Sequence, residues 1–391
     1  MSLSNLLVGY RPLIDRDRRI MALQVQLAAV DGELTSMSSL YGLVADDRPL
    51  QSHTLILSAP DAVFDDGLMA LEPMPGLWLE VPAEVAANPA YRPMLLLLHE
   101  QGMGMVLQGV PPDDLPDELL AVFRLSMVDA RDERRGSGES STLRARVRRS
   151  VATVQSGVNT PQAMEQAFAA GAYATCGWLI PEMQASDELV TGTDYLGVLQ
   201  LMEMIEREAS LREIEAAIRQ EPELALRLLR HIDSVGFGLS VPVQNFQHAV
   251  MFLGYQGMSR WLALMLVSVN PDASRRPLML ASFRRGLILE NLAGREADSE
   301  VREEMFLLGV FSLLDRALGQ PFETLLSHVP VPERVAEALV GRTGPYLPLL
   351  DIVEAIEHGP TPEILGHLER CHIGLEECNR VTLATLRVAA V

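Results

Sequence analysis

Cysteine is scarce, at three in 391 residues: Cys176, Cys371 and Cys378. So odd and sparse a set excludes a disulfide framework and fits a reducing compartment. Long apolar runs are missing as well. Stretches such as Trp261–Val269 fall far short of the roughly 20 residues that a membrane-spanning helix needs. The opening MSLSNLLVGYRPLIDRDRRI has no basic region followed by a long apolar core, so no secretory signal is expected. A cytoplasmic protein without a membrane span is the expectation. Basic charge is the third shortage. Lysine and arginine number 32 against 52 acidic residues, a net charge of −20, which argues against nucleic acid as a partner.

What is present is globular. Hydrophobic residues make up 48%, too many for a disordered chain, and the length suits two domains. The polar, turn-rich QASDELVTGTD, residues 184–194, makes the best boundary. It leaves residues 1–183 as one domain and 195–391 as another.

In the first part, strand-like segments alternate with segments of helical character. The strand candidates are Leu6–Leu13, Ile20–Leu27, Thr54–Leu57, Leu77–Val81, Met103–Gln108, Val122–Val128, Val151–Gln155 and Tyr173–Gly177. Several are continuous apolar runs, as strands buried on both faces require. MLLLLHEQG ends a helix at Gly102, and Thr160–Gly171 holds another with Pro161 in its first turn. The pattern predicts a TIM-like β/α barrel.

Beyond residue 195 the apolar spacing is helical throughout. Ser210-Leu211-Arg212-Glu213 has the form of a capping box. Helices are predicted over about 196–207, 211–220, 222–234, 246–254, 256–269, 277–293, 299–318, 333–341, 347–358 and 363–369. The fold class is therefore α/β plus all-α.

Within this half, Glu221-Pro222, Leu224, Arg227-Leu228-Leu229-Arg230 and Asp233-Ser234 are followed by Ala249, Leu253 and Gly254. This wording resembles the HDOD family, whose motif is DPxLxxRLLRxxNS followed by a helix opening AxxxLG. Glu221 and Asp233 replace that motif's usual Asp and Asn. The resemblance continues through Phe306-Leu307-Leu308-Gly309 and Ser312-Leu313-Leu314-Asp315. It implies a helical module related to HD-domain phosphohydrolases but lacking their metal site. Ser312-Leu313 stands where an active relative carries adjacent His and Asp.

The first half resembles an EAL domain, the fold of cyclic-diguanylate phosphodiesterases. Tyr10-Arg11-Pro12-Leu13 matches the family's opening strand, Leu79-Glu80-Val81 its E-I-x-E strand, and Gly177-Trp178 with Pro181-Glu182 its closing segment. That family holds two divalent metals on carboxylates at the barrel rim. By the resemblance its signature glutamate falls on Gln24, its phosphate-gripping arginine on Ala28 and its asparagine ligand on Ser58. Its second E-x-x-E carboxylate falls on Ala83, its paired aspartates on Gln108 and Gly109, its K-x-D pair on Arg124 and Ser126. The glutamate near the seventh strand falls on Asn159, and the final glutamine on Cys176. Only Glu80 keeps its acid, so a barrel without catalysis is implied, with no catalytic residue, cofactor or metal.

Two further patterns are read as structural. Residues 131–149 carry seven arginines but no aromatic to stack on bases, so they read as a solvated segment with an acidic protein surface as the more credible partner. His367, Cys371, His372 and Cys378 lack paired C-x-x-C spacing, and amphipathic packing accounts for them better than zinc.

The resemblances together imply a non-catalytic adaptor in cyclic-diguanylate signalling, bearing on motility, biofilm or virulence and binding signalling proteins. The working surface is placed on Asp233, Ser234, Phe237, Gly238 and Trp261, with turn glycines and a core tryptophan as the plainer reading. The rival is a sensor that binds cyclic diguanylate without cutting it. Loss of arginine at Ala28 counts against it, although Arg11, Arg124 or Arg131 could substitute. An active phosphodiesterase comes third.

Overall fold

The computed structural model describes residues 2–32, 35–45, 53–110, 115–129, 151–179, 193–220, 246–268, 276–294, 297–327, 329 and 331–387. Eight strands close a barrel in chain order: β1 (Leu6–Asp15), β2 (Ile20–Ala29), β3 (Thr54–Ser58), β4 (Leu77–Pro82), β5 (Gly104–Gln108), β6 (Leu125–Asp129), β7 (Ala152–Ser156) and β8 (Ala174–Cys176). All eight expected strands are present.

β2 to β8 run parallel, but β1 is antiparallel to both β2 and β8. The cause is local. A parallel crossover needs about a dozen residues or more, and only Arg16–Arg19 separate β1 from β2. Asp15 N–H closes that turn on the Arg19 carbonyl at 3.0 Å. The start of β1 therefore lies beside the carboxyl ends of the other strands, with Gly9 paired to Gln26 and Gln26 to Ser58.

Leu13, Ala22, Ile56, Val106, Leu125, Met127, Val154, Ala174 and Cys176 fill the interior. The barrel is a packed core, as this architecture requires. Outside it, helix Arg92–Glu100 buries Met94, Leu95 and Leu98 and the chain turns at Gly102, φ 90°. Helix Pro161–Ala169 is capped by Thr160, whose hydroxyl accepts from Ala163 N–H at 3.1 Å.

From residue 193 on, the described helices are Thr193–Glu206, Leu211–Gln220, Phe246–Ser268, Arg276–Leu292, Ser299–Phe311, Leu314–Leu318, Glu333–Val340, Leu347–His358, Glu363–Arg370 and Leu375–Leu386, with a single turn at Phe322–Leu325. The helix expected over 222–234 lies outside the described residues. The capping box is formed: Ser210 N–H donates to Glu213 at 2.8 Å, and Glu213 N–H returns to Ser210 Oγ at 3.4 Å. Gly254, at φ 65°, interrupts Phe246–Ser268, where two separate helices are expected. The single helix predicted over 299–318 breaks at Ser312-Leu313. Ser312 Oγ donates back to the Gly309 carbonyl at 2.7 Å, the kind of side-chain bond that competes with helical pairing.

The chain forms two compact units. One comprises Met1–Ile180 with Ile352–Ala389, the other Pro181–Asp351 with Ala390–Val391. The last two helices thus pack with the barrel, although sequence alone assigns them to the helical domain. Asn379 on Leu375–Leu386 donates to the carbonyls of Leu3 and Leu6, at 2.8 and 2.7 Å, and is 1% exposed. Among the described residues no helix is long and apolar enough to cross a membrane.

Candidate functional site

Alternation along a strand decides which side chains enter the barrel. Ala22, Ile56, Val106, Met127, Ala174 and Cys176 point inward, so Gln24, Ser58, Glu80 and Gln108 share that side. The expected positions on β2, β3, β4, β5 and β8 thus meet inside one barrel.

β6 and β7 require a correction. Leu125 and Met127 point inward, so Ser126 between them faces outward, and Arg124 precedes the strand. The inward pair two residues apart at the strand's end is Met127 and Asp129. Asn159 likewise lies beyond β7, whose last inward position is Ser156. Among the described residues, the acids at inner positions toward the carboxyl ends of the parallel strands are Glu80 and Asp129, while Asp15 pairs with Ala174 at the opposite end. The signal was in the sequence: in Leu125-Ser126-Met127-Val128-Asp129 the carboxylate lies an even number of residues from two large apolar side chains.

Glu80 is 2% exposed. Gln24 Nε2 donates to its Oε2 at 2.6 Å and lies 3.3 Å from Met127 Sδ. Cys176 Sγ is 3.5 Å from Gln24 Oε1. Burial pushes the Glu80 carboxyl above the usual range, and hydrogen bonds from Gln24 and Ser58 only partly offset it. Its Oε1 has no partner among the described residues. Burial, reinforced by the charge of Glu80, pushes the Cys176 thiol up to about 12, with Arg11 opposing. Burial thus works against the charged form of both groups. Among the described residues no three of His, Cys, Asp and Glu gather as a metal site.

Tyr10 and Trp178 tie the ends of this half together. The indole N–H donates to the Tyr10 carbonyl at 3.0 Å, and the rings meet edge to face at 5.3 Å. This contact joins the opening and closing motifs across the β1–β8 seam.

In the helical unit, Asp233, Ser234, Phe237 and Gly238 lie outside the described residues. Trp261 is 1% exposed, so it belongs to the core, and its ring is not offered to a partner. Ser312 Oγ accepts from Arg285 Nη1 at 3.0 Å. Burial raises the Asp315 carboxyl, while Arg316 and Arg285 pull it back. A guanidinium accordingly stands beside Ser312 and Asp315. A largely apolar cleft of about 220 Å³ is lined by Met202, Ile205, Glu206, Ser259, Leu307 and Pro332 among others.

The family model described as HDOD domain matches residues 193–316. The matched residues follow the closed eight-stranded barrel in the chain. A curated relative from Vibrio cholerae serotype O1, named cyclic di-GMP phosphodiesterase CdgJ, is 25% identical over 231 residues, covering 59% of this chain and 54% of the relative. The Bacillus subtilis protein YuxH is 24% identical over 204 residues, covering 51% and 50%. The chain thus spans about half the length of the curated relatives it matches. Among solved structures, the Klebsiella pneumoniae BlrP1 complex with manganese and cyclic diguanylate at pH 6 aligns at 18% identity and TM-score 0.33, over 45% of this chain and 55% of that one.

Proposed function

We propose that this EAL–HDOD protein is a non-catalytic adaptor in cyclic-diguanylate signalling, cytoplasmic, acting through contacts with other signalling proteins. The observation that carries this reading is the Gln24–Glu80 pair. Where a two-metal hydrolase needs convergent carboxylates, an amide here donates to a single buried acid at 2.6 Å. Magnesium takes hard, charged oxygen ligands and gives up its water reluctantly. Gln24, Ser58, Gln108 and Met127 supply no charge, and burial works against the charged form of Glu80. Asp129 alone cannot hold two cations and position a water between them.

On the helical side, Arg285 fills with a fixed positive charge the surroundings of Ser312 and Asp315, so metal-dependent hydrolysis is not assigned there either. Function then rests on surfaces, and the apolar cleft beside Met202 and Leu307 is the described feature best suited to a protein partner.

The reading is tested by incubating the full chain with cyclic diguanylate and either Mg²⁺ or Mn²⁺ and resolving nucleotides by chromatography. The expected result is no linear product. Product that disappears in Glu80→Gln would restore the phosphodiesterase reading, which the name of the Vibrio cholerae relative favours.

A further inference from the structure

The mouth of the barrel is filled by the chain's own turn. Gly359 is buried and packs against Gly9 of β1; a Cβ at Gly9 would stand 2.6 Å from Gly359 Cα and 2.9 Å from Pro360 N. Gly9 is thus glycine because backbone meets backbone there. Gly359 itself is at φ 118°, within the region that favours glycine, and a Cβ on it would lie 3.3 Å from both Arg11 Nη2 and Gln26 Oε1. Arg11, whose charge reaches Cys176 inside the barrel, donates from Nη2 to the His358 carbonyl at 3.0 Å.

We propose that the turn 358–361 is a latch closing the barrel mouth, and that its release governs access to Arg11, Gln26 and Ser58. Two observations make it a latch and not merely a wall. First, the closed state leaves a polar group unsatisfied: Gln26 Oε1 is buried with no hydrogen-bond partner among the described residues. Opening returns that acceptor to water, which favours the open form. Second, the segment is fastened elsewhere. Asn379 is bonded to both Leu3 and Leu6, and Arg387 donates to the Val44 carbonyl. The turn can therefore lift while helix Leu375–Leu386 stays in place. The Arg11–His358 bond is at the exposed edge, where water competes for both partners. The inference concerns the barrel unit alone and does not depend on the adaptor reading.

The test uses the full chain with Ser58→Cys as a probe, since Ser58 is 2% exposed on the inner face. Labelling by a small thiol reagent is followed by peptide mass spectrometry, which separates the probe from Cys176, Cys371 and Cys378. Gly9→Val forces the turn out by bulk, and Arg11→Met removes the bond without adding bulk. Both are expected to speed probe labelling by about tenfold or more, with hydrogen exchange raised in residues 356–362 and unchanged in β3–β7. Should Gly9→Val loosen β3–β7 as well, the Arg11→Met result decides. Unchanged probe labelling in Arg11→Met, with the barrel still protected, would overturn the latch.

Discussion

Gln24 donates to Glu80 at 2.6 Å inside the barrel, joining β2 to β4 through an amide and a buried acid. The pair is a structural tie that carries an electrostatic cost at neutral pH. Glu80 has a raised carboxyl pKa in the folded chain, so the folded state holds a proton that the unfolded chain releases near pH 4.3. Stability therefore falls as pH rises from about that value through the folded pKa, and then levels off.

Glu80→Gln removes that slope while keeping an acceptor for Gln24. The melting temperature at neutral pH is expected to rise by a few degrees, about 2–4 °C for each kcal/mol recovered. Thermal denaturation of both proteins between about pH 5 and pH 8 checks it, since the gap should close toward the acid end.

Gln24→Glu places a second carboxyl within hydrogen-bonding distance of Glu80. Two acids so close cannot both ionise, so this variant is expected to melt lower than the parent at neutral pH and to approach it in acid. It is also expected to yield no hydrolysis, because the neutral positions Ser58 and Gln108 remain. Cyclic-diguanylate turnover by this variant would show that one residue separates the barrel from catalysis.

Thiol reactivity should divide the three cysteines. Cys176 and Cys378 are fully buried with thiols pushed up to about 12, whereas Cys371 is partly exposed. Alkylation of the native protein near neutral pH should modify Cys371 first, the other two following only on unfolding. Early labelling of Cys378 would contradict the packing of helix Leu375–Leu386 on β1.

Two substitutions test the helical unit. Gly309 lies backbone to backbone against Gly286 of helix Arg276–Leu292, so Gly309→Val should cost about 3 kcal/mol or more. Arg260 donates to Glu303 at 2.8 Å and pairs with Glu290, its guanidinium 4.5 Å from the Phe306 ring centre. Arg260→Met leaves two half-buried acids without their cation and should cost about 2–3 kcal/mol. Denaturant unfolding measures both, and a loss below about 1 kcal/mol for Gly309→Val would contradict the close helix approach.

Much of the barrel was legible because its strands are short apolar runs bounded by Gly102, Gly171 and Gly177, and because alternation follows from covalent geometry. The inward faces of β6 and β7 are not legible by linear matching, which sets Ser126 and Asn159 opposite the family's ligands whichever way each side chain points. Packing of helix Leu375–Leu386 on the barrel was not legible. It depends on Asn379 reaching the carbonyls of Leu3 and Leu6 across the length of the chain, and no local pattern announces such a pairing. Gly9 and Gly309 read as ordinary glycines until the backbones that meet them, at Gly359 and Gly286, are in place. Trp261 illustrates the converse: a large aromatic on a helix gives the same signal whether it faces a partner or the core.

The most direct measurement is titration calorimetry of the full chain with cyclic diguanylate in the presence of Mg²⁺. No binding heat is expected at micromolar nucleotide, because the inner positions offer too few carboxylates for two cations and Arg11 Nη2 donates to the His358 carbonyl. Saturable micromolar binding would contradict it and make the barrel a nucleotide sensor.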